Sequence, residues 1–198
     1  PTSVAHGMMA LFPFLARTGH GHPQHPGGKM HNTAPSMVPI RALSERHRSR
    51  IEAHLIGLDA HDRYLRFGYA ASDAQIKRYV DNLDFERDEI FGVYNGALKL
   101  IAMAHVAYAP TDANMDGCAE FGVSVDKSGR GKGLGSRLFD RAVMDARTKG
   151  VKMLFIHALS ENTAMLKIAR KAGATVERDG SESEAYLKLP PARFDTRV

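Results

Sequence analysis

The sequence predicts an α+β fold, built in layers around a mixed sheet. Three observations predict it. Apolar residues recur at helical spacing after Ser44 and again after Ser72, and the period drops towards two from Glu89 onward. Beyond Gly129, helical patterns alternate with short β-branched runs. A chain of 198 residues suffices for one sizeable core and is marginal for two. With 43% hydrophobic and 25% charged residues it has the composition of an ordinary soluble globular protein.

Val38 to Ala42 is expected as a short strand, and Ser44 as the N-cap of a helix through Gly57 that repeats Ile51, Leu55 and Leu58 on one face. "AHDRYLRFGY" and "SDAQIKRYVDNL" follow. The second opens on Ser72, a good cap, and aligns Ile76, Tyr79, Val80 and Leu83. "EIFGVYNGALKLIAMAHVAY" then reads as two strands joined by a two-residue turn at Asn95-Gly96, a pair that tolerates positive φ. "CAEFGVSV", Cys118 to Val125, is a third strand, and the helix Leu134 to Lys149 ends at Gly150. "KMLFIHAL" is a strand. "SENTAMLKIARKAG" is a helix capped by Ser160 or Asn162 and closed by Gly173, and "ATVER" and "EAYLKL" supply the last strands.

The first forty residues hold six of the nine prolines and five of the ten histidines, with little repeating period. Residues 1–36 are therefore expected to be a flexible arm, 37–190 the folded domain and 191–198 a tail. His20, His22, His25 and His31 lack a rigid frame, so no metal site is expected of them. Of the net charge of +5, residues 1–44 carry +3, from Arg17, Lys29 and Arg41 without an acidic residue. The remainder is nearly balanced, which argues against a basic nucleic-acid-binding face. The apolar run Met8 to Ala16 contains Pro13 and is too short to span a bilayer. No basic residue precedes it, so neither a membrane anchor nor a secretory leader is expected. One cysteine, Cys118, excludes an internal disulfide framework and suits a reducing compartment, by default the cytoplasm. It reads as a packed strand residue rather than an acyl-carrying nucleophile, since no histidine is close in sequence.

The chemistry concentrates in "SGRGKGLGS", where the third strand meets a helix. A dinucleotide fingerprint fails, because Gly131 and Gly133 would need glycine at Ser136, and Gly133 and Gly135 would need it at Leu138. A P-loop fails for want of a glycine and four intervening residues before a Gly-Lys-Ser/Thr triplet. What remains is Arg130, Gly131, Lys132, Gly133 and Gly135 ahead of a helix N-terminus. Free amides and the positive end of the helix dipole there suit a diphosphate, and the two basic side chains add charge.

R-x-x-G-x-G between a V-x-V strand and a helix resembles the acyl-coenzyme A loop of the Gcn5-related N-acetyltransferase (GNAT) family. "ENTAMLKIARKAGATV" is similar to that family's second cofactor segment, and the likeness in element order covers Val38 to Leu189. "AEF-V-V", "EN-AML" and "DRYLRF" most resemble a branch related to protein-lysine acetyltransferases. The resemblance implies a mostly antiparallel central sheet with helices on both faces. It also implies acetyl-coenzyme A as co-substrate, no metal, an amine as acceptor, and no nucleic-acid or membrane partner; a homodimer is left open.

By position, the resemblance assigns the cofactor to the main chain of Val123 and Val125, to Arg130, Gly131, Lys132, Gly133, Gly135 and Ser136, and to Asn162. The amides of Val123 and Val125 would polarise the thioester carbonyl. Glu120, the one carboxylate inside an apolar strand, is the expected base. Histone-type members place their glutamate at the position of Ala119, which leaves the direction of the Glu120 side chain open. The tyrosine acid of many members falls on Ala169, with His157, Ser160, Tyr108 and Tyr186 as substitutes that have ordinary structural roles to fill. A thiol of pKa about 8.5 leaves tolerably without an acid. The expected function is therefore N-acetyl transfer to a primary amine by direct attack, with a non-catalytic acyl-coenzyme A sensor as the alternative.

Overall fold

The computed structural model describes residues 38–110 and 117–191. The expected arm with its histidines, and the expected tail apart from Pro191, lie outside the described residues.

Strand β1 (Ile40–Leu43) leads to Ser44, whose N–H donates to His47 Nδ1 at 2.9 Å. The helix expected from Ser44 begins instead as a single 3-10 turn, Glu45–His47, before α1 (Arg48–Ile56). That first turn is fixed by side chains, with Arg48 donating to both carboxylate oxygens of Glu45 at 2.6 Å. Helix α2 (Ala60–Phe67) is capped by Asp59, which accepts from the Asp62 N–H, and is closed by Gly68 in the left-handed region. Ser72 caps α3 (Asp73–Asp81) as read from the sequence. Its hydroxyl accepts from the Gln75 N–H while the Gln75 side chain takes the Ser72 N–H, a reciprocal capping box.

Strands β2 (Glu89–Tyr94) and β3 (Leu100–Tyr108) form the expected hairpin, but the two-residue turn does not occur. Residues 95–99 make a longer loop, because Asn95 Oδ1 accepts from the N–H groups of Ala97 and Lys99 and so folds the chain back through its own side chain. The residue with positive φ is Leu98. Strand β4 (Cys118–Val125), α4 (Leu134–Thr148), β5 (Met153–Leu159), α5 (Thr163–Lys171), β6 (Thr175–Asp179) and β7 (Glu182–Lys188) complete the order.

The seven strands form one sheet in the order β1-β2-β3-β4-β5-β7-β6, antiparallel except between β4 and β5. Strand alternation gives each face its own core. One face carries Ile90, Met103 and Leu100 against Ile51, Leu55, Ile76 and Val80 of α1 and α3. The other carries Phe91, Ala104, Phe121, Leu154 and Ala185 against Leu138, Phe139, Leu166 and Ala169 of α4 and α5. The result is the three-layer α+β architecture that the sequence predicts.

Candidate active site

The sheet opens in the middle. Strand β4 pairs with β3 along its whole length, from Tyr108↔Ala119 to Ala102↔Val125. With β5 it pairs only over Cys118↔Met153, Ala119↔Leu154 and Glu120↔Phe155, after which the two parallel strands separate. The Cys118 carbonyl accepts from Ala109 N–H at 3.1 Å and Asp126 N–H donates to the Ile101 carbonyl at 2.9 Å, so the even-numbered residues of β4 direct their main-chain groups to β3. By alternation Val123 and Val125 direct theirs the other way, into the gap. Their side chains pack on the α4–α5 core.

At the head of the gap lies the glycine turn. Gly131 and Gly133 have φ of 72° and 69°, and a Cβ on either would meet nothing within 4 Å. Gly133 is the N-cap of α4 and offers no side-chain cap, so the first amides of the helix are left to a ligand or water. Gly135 and Ser136 lie in the first turn; Ser136 lines a shallow recess with Asp140, Ile168, Lys171 and Ala172 between α4 and α5. Lys132 is exposed. Arg130 is not a free charge, since its guanidinium pairs with Asp62 of α2, and Lys127 pairs with Asp59 at 3.0 Å. The turn is thereby tied to α2. Burial raises the Asp62 carboxyl above its usual value, Arg130 opposes that, and Asp59 adds to it.

Glu120 occupies the last paired position of β4 before the strands part. The β3–β4 register runs through it without a shift, so no bulge re-aims its side chain. It points to the α1–α3 face, while Ala119 points into the α4–α5 core at 0% exposure. Glu120 and the neighbouring position 119 therefore lie on opposite faces of the sheet. Its Oε2 is buried without a hydrogen-bond partner among the described residues. Burial pushes the carboxyl upward, His157 and Arg66 pull it back, and Glu184 adds to the rise.

Of the substitutes for a tyrosine acid, His157 acts on Glu120, and the others are engaged elsewhere. Ser160 is spent on Ser183 Oγ and on the Gly180 and Glu182 carbonyls, Tyr108 donates to Glu89 at 2.8 Å, and Tyr186 donates to Glu177 at 3.0 Å. Ala169 is fully buried in the core. Asn162, not Ser160, caps α5, its Oδ1 accepting from Met165 N–H at 3.2 Å.

Sequence reasoning missed the groups behind Glu120. Arg66 of α2 lies over Gly122, and its Nη2 donates to Tyr79 Oη at 2.9 Å. Tyr79 Oη contacts His105 Nδ1 at 2.7 Å, and His105 Nε2 contacts Asp88 Oδ2 at 2.9 Å. A lone histidine inside the apolar run "LIAMAHVAY" was the one signal available.

The family model described as "Acetyltransferase (GNAT) family" matches residues 58–174. The GNAT domain of S. lividans PAT superposes with a TM-score of 0.62 at 21% identity, over 76% of this chain and 89% of that one. An N-acetyltransferase from Staphylococcus aureus Mu50 gives 0.60 at 19%, over 77% and 98%. A ribosomal-protein-alanine N-acetyltransferase from Brucella melitensis gives 0.60 at 16%, over 76% and 99%. At these identities the likeness is one of fold. No curated protein matches the sequence.

Proposed function

The chain belongs to the GNAT acetyltransferase family, and from that premise we propose that it moves an acetyl group from acetyl-coenzyme A to a primary amine, on a small molecule or a protein lysine, by direct transfer in a ternary complex. One observation carries the reading: a cleft between β4 and β5 with outward main-chain groups of Val123 and Val125 on its wall, uncapped amides of α4 at its head and a half-buried carboxylate, Glu120, at its apex.

The residues fit the co-substrate. Open space at Gly131 and Gly133 admits a diphosphate to the α4 amides, and Lys132 adds charge. The Val123 and Val125 amides supply hydrogen bonds that a pantetheine-like arm can use as an added strand. When bound, acetyl-coenzyme A supplies the activated acyl group. Glu120 takes the ammonium proton of the acceptor, directly or through water, and burial suits it by raising its basicity. The Val123 N–H, turned into the gap, would supply a hydrogen bond to the thioester carbonyl oxygen as negative charge develops there. Ser136 in the first turn of α4 and Asn162 at the cap of α5 would add polar contacts to the co-substrate. A cytoplasmic setting agrees with this chemistry, and no described helix is long and apolar enough to cross a membrane.

The second reading, an acyl-coenzyme A sensor without catalysis, is favoured by Ala169, an alanine sealed in the core where many relatives have their acid. Thiol release from acetyl-coenzyme A over a panel of small amines and lysine peptides separates the two. Turnover with any amine supports the transferase, and tight binding with no release across the panel supports the sensor.

The diphosphate assignment has its own test. Alanine at Gly133 or Gly131 meets the same left-handed backbone strain, about 1–2 kcal/mol, so both variants should melt lower by similar amounts. Gly133→Ala is expected to weaken acetyl-coenzyme A binding about tenfold or more, by putting a methyl group at the helix cap where the ligand approaches; Gly131→Ala should weaken it less. Calorimetric titration of the folded variants measures both, and wild-type affinity in folded Gly133→Ala would reject the assignment.

A further inference from the structure

We propose that Arg66 is a positioning residue that supplies the fixed positive charge beside Glu120, and that Asp88, His105 and Tyr79 are the buried rail that holds it there. The inference rests on the reading of Glu120 as the base. Its first support is steric. A Cβ at residue 122 would stand 2.7 Å from Arg66 Cζ and Nη2, so the guanidinium occupies space that exists only because position 122 is glycine. Gly122 and Glu120 share a face of β4 two residues apart, about 7 Å along the strand. Arg66 is therefore set beside the carboxylate without forming a hydrogen-bonded pair with it.

The second support is the directed chain of hydrogen bonds. Arg66 can only donate, so it donates to the Tyr79 oxygen. The Tyr79 hydroxyl proton then goes to His105 Nδ1, and the His105 proton sits on Nε2, donating to Asp88. Burial of the imidazole favours this neutral form. Asp88 is fixed in turn by Arg87 at 2.7 Å and by the Tyr108 N–H at 3.2 Å. The rail begins and ends in opposite charges, with two neutral groups between, and each link has one sense. The Arg66 guanidinium also lies 5.1 and 5.4 Å from the ring centroids of Phe67 and Tyr79, which helps to hold it. Arg66 Nε is buried with no acceptor among the described residues.

The groups that face Glu120 are Arg66 from α2, Tyr79 from α3, His157 from β5 and Glu184 from β7. Glu184 opposes its ionisation, and His157 is an exposed residue at the solvent side of the site. Arg66 is the cation that stays charged throughout. Without it, a carboxylate already short of water loses the arginine that opposes the effect of its burial.

The test is a carbon-13 titration of the glutamate carboxyl groups in the full chain, with Glu120 identified by the resonance lost in Glu120→Gln. In Arg66→Gln the Glu120 midpoint is expected to move to higher pH, with turnover near pH 7 about tenfold lower. Tyr79→Phe should move it the same way by less, through a loosened Arg66, and Arg66→Lys should restore part of the shift. Tyr79→Phe deletes one hydroxyl and carries the test alone where Arg66→Gln fails to fold. An unmoved midpoint in folded Arg66→Gln or, failing that, in Tyr79→Phe overturns the inference while leaving the base assignment intact. Full turnover in Glu120→Gln overturns the base assignment, and the inference with it.

Discussion

Glu120→Gln is expected to retain acetyl-coenzyme A affinity and to lose roughly 10²-fold or more in turnover at neutral pH, the scale of removing a general base. Affinity should survive because, in the function proposed above, main-chain groups of Val123 and Val125 hold the co-substrate there. Residual turnover should rise with pH as more acceptor is deprotonated unaided, so the deficit narrows in alkali. The same variant should be at least as stable as the wild type at neutral pH. A carboxyl whose folded pKa is raised binds its proton more tightly in the native state, so stability falls as pH rises from the ordinary value through the folded one. Glutamine has no charge to bury. Stopped-assay rates and melting curves measured together check both halves; wild-type turnover would mean that the offset from Ala119, which turns the carboxylate to the α1–α3 face, has removed it from the chemistry.

Acid should weaken the fold through His54. Its ring is 3% exposed, with Nδ1 donating to the Leu100 carbonyl at 3.0 Å and Nε2 accepting from the Ser124 hydroxyl at 2.9 Å. Burial lowers its pKa to about 4 from 6.5, and the hydrogen bond to Leu100 and the charge of Asp126 recover only part of the loss. In that window the unfolded chain binds a proton that the native chain refuses. The contribution is therefore whole above pH 6.5 and lost as pH falls towards about 4, to the extent of about 3 kcal/mol. Urea unfolding across this range should show the decline, and His54→Gln should flatten it at the cost of lower stability at neutral pH. Glu120 acts with the opposite sign where the windows overlap, which makes the difference between wild type and variant the informative quantity. Equal slopes in the two proteins would show that His54 is protonated in the native state.

How much of this was legible in the sequence depended on sequence distance. The Ser72 box, the helix ended by Gly150 and the period-two strands are written in neighbours a few residues apart, and the structure has them. The Asn95-Gly96 turn was misread because the same asparagine can hydrogen-bond the loop with its side chain, and that competing option won. The glycine turn was found from its local pattern, yet the partner of Arg130 was not, since Asp62 lies 68 residues earlier on another element. The Arg66 rail was invisible for the same reason. Its members come from α2, α3, β3 and the approach to β2, and they meet only because the sheet register puts His105 beside Gly122. Face assignment followed the same rule: the side of the sheet on which Glu120 lies is set by an unbroken β3–β4 ladder, which no single strand's residues announce.

The parting of β4 from β5 has a consequence for the sheet itself. It creates two raw strand edges in the middle of the molecule rather than at its border. An outer edge invites another protein's strand and is usually blunted by charge, proline or a bulge. β4 carries none of these devices where it is bare, in "FGVSV". It does without them because α4, hung on the glycine turn, and α2, bound to that turn through Asp62 and Asp59, flank the opening. The bare length of β4 thus stays inside its own sheet, with β5 held on the far side by β7, and an added strand would have to enter between the two rather than extend the sheet at its border.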